Sequence, residues 1–589
     1  MTELFEPVDA WDPRIARSAR GVLAELNEAG LLHAADVHVA RRLTALTGDL
    51  DERVALAAAL ATAVVQRGSV GVDLTRASEL APEVAWPDPD QWHDAVAASA
   101  AVAEGALRVE HGLVYLDRYH RLEVQVFDDL VDRANRPAPP VDEAALAAAL
   151  ERVFPQATYA EQRAAVDAAV RRWTTVLTGG PGTGKTTTVA GLLAVLADQA
   201  ASRGERLSVA LAAPTGKAAA RLQESVDSET ARLAREDRER LTGLESLTLH
   251  RLLGFRFDNS TRFRHHRGNR LKYDVVVVDE SSMVELLLMG RLLEALRPDT
   301  RLVLVGDPDQ LSSVGAGAVL GDLVKGYAER SDSPVVSLTR PHRFGEEIGS
   351  LARALRDGDA DQVMDVLRAG GDRVTLVETD DPEPVLTPLL MAAAQQVRAA
   401  AEAGDDAAAL AALDHHRLIC AHREGARGVS FWNRLVELGL ARAAGQDHWP
   451  RWYAGRPVLV THNDYGLGIY NGETGVVVRR ADGALRGLVP SSGGQVLDFA
   501  TTRLAEVETM HALTVHKSQG SQADHVSVLL PEEQSRLLSR ELFYTAVTRA
   551  RESVRIVGTE AEVRAAVGRR AGRATGLSSR LLQRPDGTR

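Results

Sequence analysis

The chain has a single cysteine, Cys420, among 589 residues, so it cannot form an internal disulfide. Its apolar neighbours Leu418 and Ile419 favour a buried structural thiol in a reducing compartment. No apolar run reaches the roughly 18 residues that a membrane-spanning helix needs. The acidic N-terminus lacks the charged-then-apolar pattern of an export signal. We therefore expect a cytoplasmic protein with no membrane partner.

The chain also lacks excess positive charge, because its formal net charge is −12. Any binding of nucleic acid must then come from a local groove and not from the field of the whole molecule. Of the 69 basic residues only five are lysines, at positions 185, 217, 272, 325 and 517. A compact ammonium suits a point contact with phosphate, and three of these lysines lie in the motifs described below. The composition, with 45% hydrophobic and 25% charged residues, is typical of a globular protein of roughly three to five domains.

Hydrophobic periodicity divides the chain into regions. Residues 1 to about 135 show helical spacing, and a proline-rich break at 136–140 marks a boundary. Two series of β-branched runs then alternate with helical stretches, which predicts parallel βαβ units. The first series is Thr174–Leu177, Leu207–Ala213, Val275–Val278, Leu302–Val305 and Val335–Leu338; the second is Arg417–Ala421, Arg456–Thr461, Thr474–Val478, Ala512–Val515, His525–Leu530 and Val554–Val557. Turn-rich segments at 463–475 and 481–494 indicate a small β-rich insert with hairpins.

A glycine-rich segment after the first strand fits G-x-x-x-x-G-K-[ST] and precedes a predicted helix over Thr187–Ala197. Its residues are Gly179, Gly180, Pro181, Gly182, Thr183, Gly184, Lys185 and Thr186. Glycines let backbone N–H groups curl round phosphate oxygens, and the helix N-terminus adds favourable partial charge. We expect Lys185 to reach the β- and γ-phosphates of ATP and the Thr186 hydroxyl to ligate Mg²⁺.

Two carboxylates follow the strand Val275–Val278, at the sheet edge where ligands bind in open α/β folds. We expect Asp279 to hold Mg²⁺ and Glu280 to act as the base that activates the attacking water. The alternative is a strand followed by a helix cap at Ser281 or Ser282, which does not explain both acids.

Three further residues are candidates for ATP hydrolysis. Gln310 follows the strand Leu302–Val305 and could sense the γ-phosphate, or it could be an ordinary turn residue. Arg343 and Arg549 could stabilise charge in the transition state, although each, taken singly, is more often a surface salt bridge. Both follow strands that we assign to a second lobe, so their arrival would couple lobe closure to hydrolysis.

Ten stretches between about residues 155 and 555 resemble, in order, the motifs of superfamily 1 DNA helicases, and most closely those of the RecD family, the alpha subunits of exodeoxyribonuclease V (RecBCD). They are Tyr159–Gln162, Gly179–Thr187, Ala213–Leu222, Thr248–Gly254, Val278–Val284, Val305–Leu320, Leu338–Phe344, Val458–Val476, Leu513–Gln522 and Leu542–Glu552. The combination of D-E-S-S-M with V-H-K-S-Q-G and Y-T-A-V-T-R-A is highly specific.

The resemblance implies roles for the matching residues. Gln162 would read adenine, and Thr187 would complete the nucleotide loop. Single-stranded DNA would lie along Thr215, Gly216, Lys217, His250, Thr514, His516, Lys517, Ser518 and Gln519, the last five linking DNA to the γ-phosphate. Read without the family, Lys217 could be a basic residue near a helix start and His516 a satisfied cleft histidine.

Basic and aromatic residues interleave between two of these motifs, at Phe255, Arg256, Phe257, Arg262, Phe263, Arg264, His265, His266, Arg267 and Arg270. Such a mixture suits backbone contact and base stacking. The family places a duplex-splitting hairpin, the pin, at about 254–272; the alternative is a solvated loop. The arginine-rich last residues, about 566–589, favour a flexible tail over a nucleic-acid-binding arm.

The implied fold is α/β, with two RecA-like P-loop NTPase lobes, a helical N-terminal domain and a small β-rich insert in the second lobe. We expect a helical partner-binding domain at 1–135, the first lobe at 141–335, the second at 336–455 with 506–565, and the insert at 456–505. The implied function is an ATP- and Mg²⁺-dependent 5′→3′ DNA helicase that acts on single strands and duplex ends, with RecB-like and RecC-like subunits in a heterotrimer for double-strand-break repair. Any nuclease activity would belong to a partner.

Two alternatives stay open. One is a stand-alone helicase of repair or conjugation, although the chain shows no obvious longer N-terminal extension of the kind that stand-alone RecD-like helicases carry. The other is an ATP-gated DNA clamp that does not unwind.

Overall fold

The computed structural model describes residues 12–584, except 257–258, 341–345, 446–449, 465 and 491–494, and except the side chains of 259–261 and 346. In the described part of the chain, no helix is both long and apolar enough to span a membrane.

The N-terminal region combines helices with a small antiparallel sheet. Its helices are Val22–Glu28, Ala34–Thr47, Glu52–Gln66, Pro89–Ala97, Ala100–Ala103 and Asp117–Ala134, with a 3₁₀ segment at Leu74–Glu79. The strands Gly71–Asp73 and Leu107–Glu110 flank Leu113–Leu116. The region is therefore mostly helical, as expected. The small sheet was not foreseen, because strands of three or four residues are too short to show a periodicity of two.

The first lobe is built on a six-stranded parallel sheet. Its strands, in spatial order, are Val335–Leu338, Thr174–Gly179, Arg301–Gly306, Val275–Val278, Val209–Ala213 and Ser246–Thr248. Its helices and 3₁₀ turns are Glu143–Val153, Ala157–Tyr159, Ala160–Val170, Lys185–Ala201, Gly216–Ala231, Arg235–Arg240, Leu249–Leu253, Ser281–Met283, Leu286–Ala295 and Val319–Gly326. Val275–Val278 is buried at all four positions, as a central parallel strand should be.

One predicted boundary was wrong. We placed the end of the first lobe at residue 335, but the strand Val335–Leu338 pairs in parallel with Thr174–Gly179 and forms the edge of the first sheet. The strand that precedes Arg343 therefore belongs to the first lobe and not to the second. A short apolar run carries no signal for which of two sheets it joins, so sequence periodicity could not decide this point.

The second lobe contains a five-stranded parallel sheet and a five-stranded antiparallel insert. The parallel sheet runs Val374–Val377, Ala550–Val557, Ala523–Leu529, His416–Cys420 and Ala512–Thr514. The insert runs Val496–Ala500, Leu485–Pro490, Thr474–Arg479, Pro457–Val460 and Val507–Thr509. The helices and the 3₁₀ turn of this half are Glu346–Asp357, Ala360–Ala369, Glu383–Glu402, Asp406–His415, Val429–Ala443, Thr501–Arg503, Val515–Ser518, Arg540–Val547 and Glu560–Gly568.

These two parallel sheets, the N-terminal helices and the antiparallel insert confirm the predicted fold class. Cys420 lies fully buried in the second sheet, and burial raises the pKa of its thiol well above the usual range. The last strand of the insert, Val507–Thr509, lies beyond the predicted end of the insert at 505.

The expected flexible tail was also wrong for residues up to 584. A helix at Leu577–Gln583 buries Leu577 and Leu581 in the core that the first lobe shares with the N-terminal region. Close packing against the helix Val319–Gly326 is possible because Gly326 has no side chain: a Cβ there would lie 2.6 Å from that of Leu581. The high arginine content that suggested disorder instead supplies ion pairs, such as that of Arg580 with the buried Glu123.

The N-terminal region is not packed as a separate body. Leu122, Val126 and Leu130 of the helix Asp117–Ala134 share one apolar core with the first-lobe sheet. Arg133, on the same helix, donates hydrogen bonds to the carbonyls of Trp173 and Thr300 in the first lobe. Removing residues 1–135 would therefore expose the core of the first lobe.

Candidate functional site

The glycine-rich loop lies between the strand Thr174–Gly179 and the helix Lys185–Ala201. Gly182 and Gly184 have φ angles of 77° and 86°, which residues with side chains rarely adopt. The ammonium group of Lys185 donates to the carbonyls of Gly179 and Gly180, at 2.7 and 2.9 Å. The sequence thus builds a compact loop at a helix N-terminus, with one cation held beside it, which is the arrangement that binds a polyphosphate.

The two predicted carboxylates lie opposite this loop, at the end of the strand Val275–Val278. Burial and the neighbouring charge of Glu280 raise the pKa of Asp279, whereas the charge of Lys185 lowers it. Glu280 has a φ angle of 49°, a left-handed conformation that is strained for a residue with a side chain. Strain of this kind is concentrated at functional sites, where the surrounding structure holds one side chain in a required direction.

A buried hydrogen-bond network crosses from the first lobe to the second. The amide of Gln310 donates to Asp307 at 3.0 Å, and its oxygen accepts from Arg549 at 3.1 Å. The hydroxyl of Tyr544 donates to the same Asp307 carboxylate at 3.0 Å. Arg549, only 5% exposed, also donates to the carbonyl of Thr545 at 2.9 Å. Residues of both lobes therefore meet in one buried polar cluster.

A cavity of about 730 Å³ unites most of the predicted nucleotide residues. Its walls include Gln162, Pro181, Gly182, Gly184, Lys185, Thr186, Thr187, Asp279, Glu280, Gln310 and Arg549. Gly179, Gly180 and Thr183 are not among its wall residues and form the back of the loop, where the Thr183 hydroxyl donates to the Gly180 carbonyl at 2.9 Å. Gln162 donates to the Thr183 carbonyl at 3.2 Å. Arg343 lies outside the described residues.

Sequence reasoning missed several residues of this cavity. Arg221 of the first lobe donates to the Gly520 carbonyl and to the Gln522 side chain of the second, at 2.9 and 3.0 Å. Arg221 lies one helical turn after Lys217, so helical spacing from a predicted DNA residue could have pointed to it. Asp307 follows a buried strand in the same way as Asp279, and that signal was present in the sequence. Tyr544, by contrast, reaches the site only through the tertiary fold.

The residues predicted to contact DNA are not among the wall residues of this cavity, and several of them lie close to the junction between the lobes. Thr215 caps the helix Gly216–Ala231 by accepting from Ala218 N–H at 3.2 Å. Gly216 packs so closely against Tyr470 of the insert that a Cβ would lie 2.6 Å from it. Lys217 is half-buried beside Arg417 of the second lobe, and burial lowers the pKa of its ammonium to about 7. Gly216 and Lys217 therefore face the second lobe.

The matching second-lobe segment, residues 514–519, adds contacts from the other side. Thr514 caps the short helix Val515–Ser518, and Lys517 donates to Asn471 of the insert at 2.8 Å. Gln519 crosses the junction and donates to the Leu311 carbonyl of the first lobe at 3.0 Å. Burial lowers the pKa of His516 to about 4, so the imidazole is neutral at physiological pH. Ser518 is buried and donates to the Val515 carbonyl at 2.7 Å, a local structural contact.

The pin segment forms a short antiparallel hairpin of Phe255–Arg256 and Asn259–Phe263. His250 packs edge-on against Phe255 and at a tilt against Phe263, with ring centroids 5.9 and 5.8 Å away. Burial lowers the pKa of His250. His250 therefore lies at the base of the hairpin, within an aromatic cluster. Phe257 lies outside the described residues.

Comparisons with known proteins agree with this arrangement. Three family descriptions match: an AAA domain at 162–316, a UvrD-like helicase C-terminal domain at 509–557, and the N-terminal domain of RecBCD enzyme subunit RecD at 28–115. A crystal structure of Bacteroides Pif1 bound to single-stranded DNA has a TM-score of 0.39 and 18% identity, covering 68% of this chain and 92% of that one.

Two curated relatives match nearly the whole chain. RecBCD enzyme subunit RecD of Mycolicibacterium smegmatis is 56% identical over 565 residues, which are 95% of this chain and 99% of the relative. RecBCD enzyme subunit RecD of Mycobacterium tuberculosis is 54% identical over 577 residues, 97% of this chain and 98% of the relative. Identity at this level over nearly full length shows that the chain belongs to the RecD family of RecBCD enzyme subunits, which are superfamily 1 helicases with a P-loop ATPase.

Proposed function

We propose that this chain is an ATP- and Mg²⁺-dependent motor that moves 5′→3′ along single-stranded DNA. It would act in the cytoplasm as the RecD-type subunit of a helicase–nuclease complex for double-strand-break repair. The observation that carries the proposal is the cavity whose walls come from both lobes, with Arg549 hydrogen-bonded to Gln310 across the junction. A nucleotide seated there touches both lobes, so hydrolysis can alter how they fit together.

Four wall residues of the cavity have defined roles in this proposal. Lys185 and the loop amides bind the phosphates, and Glu280 accepts a proton from the attacking water. Gln310 orients that water, while Arg549 neutralises charge that develops on the transferred phosphoryl group. Arg343, which the family resemblance implies, would add a second cation.

Mg²⁺ fits the donor set of this cavity. The Thr186 hydroxyl and the Asp279 carboxylate both line it, and Mg²⁺ prefers such oxygen ligands, commonly one or two from protein together with phosphate and water. Burial and the nearby Glu280 raise the pKa of Asp279, which a cation would counteract. When bound, Mg²⁺ supplies neutralisation of the phosphate charge.

The DNA contacts would come from residues of both lobes: Thr215, Lys217 and His250 on one side, and Thr514, His516, Lys517, Ser518 and Gln519 on the other. Lys217 lies beside Arg417 of the second lobe, and Gln519 donates to the first lobe, which supports this role, since lobe movement would shift one set against the other. The pin hairpin would part the duplex ahead of the strand. The N-terminal region, 12–135 among the described residues, would bind RecB-like and RecC-like partners, one of which would supply nuclease activity.

The test is unwinding of duplexes that carry only a 5′ or only a 3′ single-stranded overhang, by the full chain alone and with copurified subunits. We expect unwinding with the 5′ overhang and none with Lys185→Gln, which should fold normally. Unwinding from the 3′ overhang would refute the polarity. ATP turnover that DNA does not stimulate would instead favour an ATP-gated clamp. If no large partner subunits copurify with the chain, a stand-alone helicase would be favoured.

A further inference from the structure

The segment 569–584, here called the C-terminal strap, contacts the second lobe, the first lobe and the N-terminal region. At its start Arg569 donates to the Glu533 carbonyl, and Ala571 N–H donates to the Glu541 carboxylate, both in the second lobe. Further along, the carbonyl of Ala574 accepts from Val70 N–H in the N-terminal region at 2.9 Å. The strap therefore links the second lobe to the rest of the protein by a route separate from the lobe junction.

Arg573 occupies the centre of the strap and binds one loop of the first lobe. Its guanidinium donates to the carbonyls of Gly315 and Gly317, at 2.9 and 3.0 Å, to the Ser313 hydroxyl at 3.3 Å, and to the Ser313 carbonyl. On its other side it packs against Gly68, where a Cβ would lie 2.7 Å from the guanidinium carbon. All of its hydrogen bonds thus converge on residues 313–317.

That loop, residues 311–317 and here called the switch loop, begins directly after Gln310 of the nucleotide cavity. The backbone of Leu311 forms two hydrogen bonds with the second lobe. Its N–H donates to the Thr545 hydroxyl at 2.9 Å, and its carbonyl accepts from Gln519 at 3.0 Å. The Ala316 carbonyl accepts from Leu286 N–H at 2.9 Å. One end of the switch loop therefore follows the second lobe, and the other is held in the first.

Burial of the Arg573 guanidinium has a desolvation cost that a purely structural position would not require. This arginine is mostly buried and forms no ion pair with a carboxylate among the described residues, although the charge of Asp322 acts on it from further away. Burial lowers its pKa to about 10. A buried guanidinium bound to carbonyls and one hydroxyl costs desolvation that an apolar side chain of similar length would avoid. Its charge also lies near His516, whose pKa burial and, to a smaller extent, Arg573 lower.

We propose that Arg573 is a positioning residue for DNA-stimulated ATP hydrolysis, because it anchors the far end of the switch loop so that second-lobe movement at Leu311 is transmitted to Gln310. If the far end were free, the whole loop would move together with the second lobe. Gln310 would then keep its position relative to the second lobe, and the movement would have no effect on Gln310. The inference rests on the proposed function, since it assigns the strap a part in coupling DNA to hydrolysis at the same site.

The test compares Arg573→Met and Arg573→Lys with Arg580→Met in the full chain. Arg580 lies on the same strap and pairs with Glu110 and Glu123, but it makes no contact with the switch loop, so its variant loosens the strap alone. The measurements are kcat and KM for ATP with and without saturating single-stranded DNA, DNA affinity by fluorescence anisotropy, and Tm.

We expect Arg573→Met to lower the DNA-stimulated kcat about tenfold or more, equivalent to about 1.4 kcal/mol. Its KM for ATP, basal kcat and DNA affinity should stay within about twofold of the wild type, and Arg573→Lys should recover part of the loss. Arg580→Met should lower Tm while keeping the full DNA stimulation. Ser313→Ala, which removes one acceptor of Arg573, should lower stimulation in the same direction and serves if Arg573→Met does not fold.

Unchanged stimulation in the Arg573 variants, or an equal loss in Arg580→Met, would overturn the assignment and leave the proposed function intact. A wild-type chain whose ATPase ignores DNA would overturn the proposed function, and this inference with it.

Discussion

Replacing Arg549 is the most direct test of the site, because this side chain comes from the second lobe and lies in a cavity built mainly on the first. Arg549→Ala removes a buried cation and leaves the Gln310 oxygen without its donor, whereas the Thr545 carbonyl still accepts from the Thr548 hydroxyl. An arginine that stabilises phosphoryl transfer contributes roughly 10³–10⁵ in kcat, or about 4–7 kcal/mol of barrier. We therefore expect DNA-stimulated ATP turnover to fall at least 10³-fold.

The same change also has a structural cost, which must be separated from the catalytic one. Each buried acceptor left without a partner costs roughly 1–3 kcal/mol, so Tm should fall by several degrees. Arg549→Lys keeps the charge but cannot reproduce the planar fork, and we expect it to recover only part of the rate. Arg551→Ala is the matched control, because Arg551 lies two residues further on, is exposed and pairs only with Asp524 among the described residues.

The assay is phosphate release under saturating ATP and single-stranded DNA, with nucleotide affinity measured separately by a fluorescent analogue. Affinity for the nucleotide should change much less than kcat, since the charge that Arg549 neutralises is greatest in the transition state. An Arg549→Ala chain that is folded, binds nucleotide and hydrolyses it within about tenfold of the wild-type rate would refute the reasoning.

Three further predictions concern other parts of the structure. Glu280→Gln should bind ATP normally but hydrolyse it roughly 10²-fold or more slowly, as expected for loss of a general base; loss of binding in filter or fluorescence assays would show that its role was misassigned. Asp322 is buried and its pKa is raised to about 7, so between about pH 4 and 7 the folded state holds a proton that the unfolded state has lost. Stability from this group is complete below about pH 4 and is lost as pH rises to about 7. The Tm of Asp322→Asn relative to that of the wild type should therefore rise from pH 5 to 7 and level off above pH 7; a constant difference would contradict this. Arg133→Ala should lower the free energy of unfolding by roughly 1–3 kcal/mol, because the Thr300 carbonyl loses its side-chain donor, whereas the Trp173 carbonyl still accepts from Leu302 N–H. Arg121→Ala, on the exposed face of the same helix, should leave Tm almost unchanged, and equal shifts would argue against a shared core.

Features encoded by contiguous residues were predicted well. The loop Gly179–Thr186 is a local arrangement, since its glycines, its lysine and the helix that follows are adjacent in the chain. The buried strand Val275–Val278 was predicted equally well, because four consecutive β-branched apolar residues are typical of a buried parallel strand. The parallel sheets followed from alternation of such strands with helices, which admits few topologies.

Features that depend on distant segments were missed or misplaced. The three short strands of the N-terminal region are stabilised by pairing with one another, and none is long enough to give a recognisable strand pattern in the sequence. The arginine content of the strap predicted a disordered tail, because the acidic partners of these arginines lie far away in the sequence. Arg580, for example, pairs with Glu110 and Glu123, more than 450 positions earlier. The edge strand Val335–Leu338 could have joined either sheet.

Local sequence was enough to predict the chemical groups of the site: a phosphate loop, two carboxylates at a strand end, and a second set of strands with an arginine of its own. Each depends on backbone geometry and side-chain type within a few residues, which local sequence specifies. Contacts between distant regions, in contrast, depend on the tertiary fold, as for Tyr544 with Asp307, Arg221 with Gln522, and Arg573 with the switch loop. These contacts form because burying the apolar faces of separate segments brings their polar edges together, and no local pattern records that meeting.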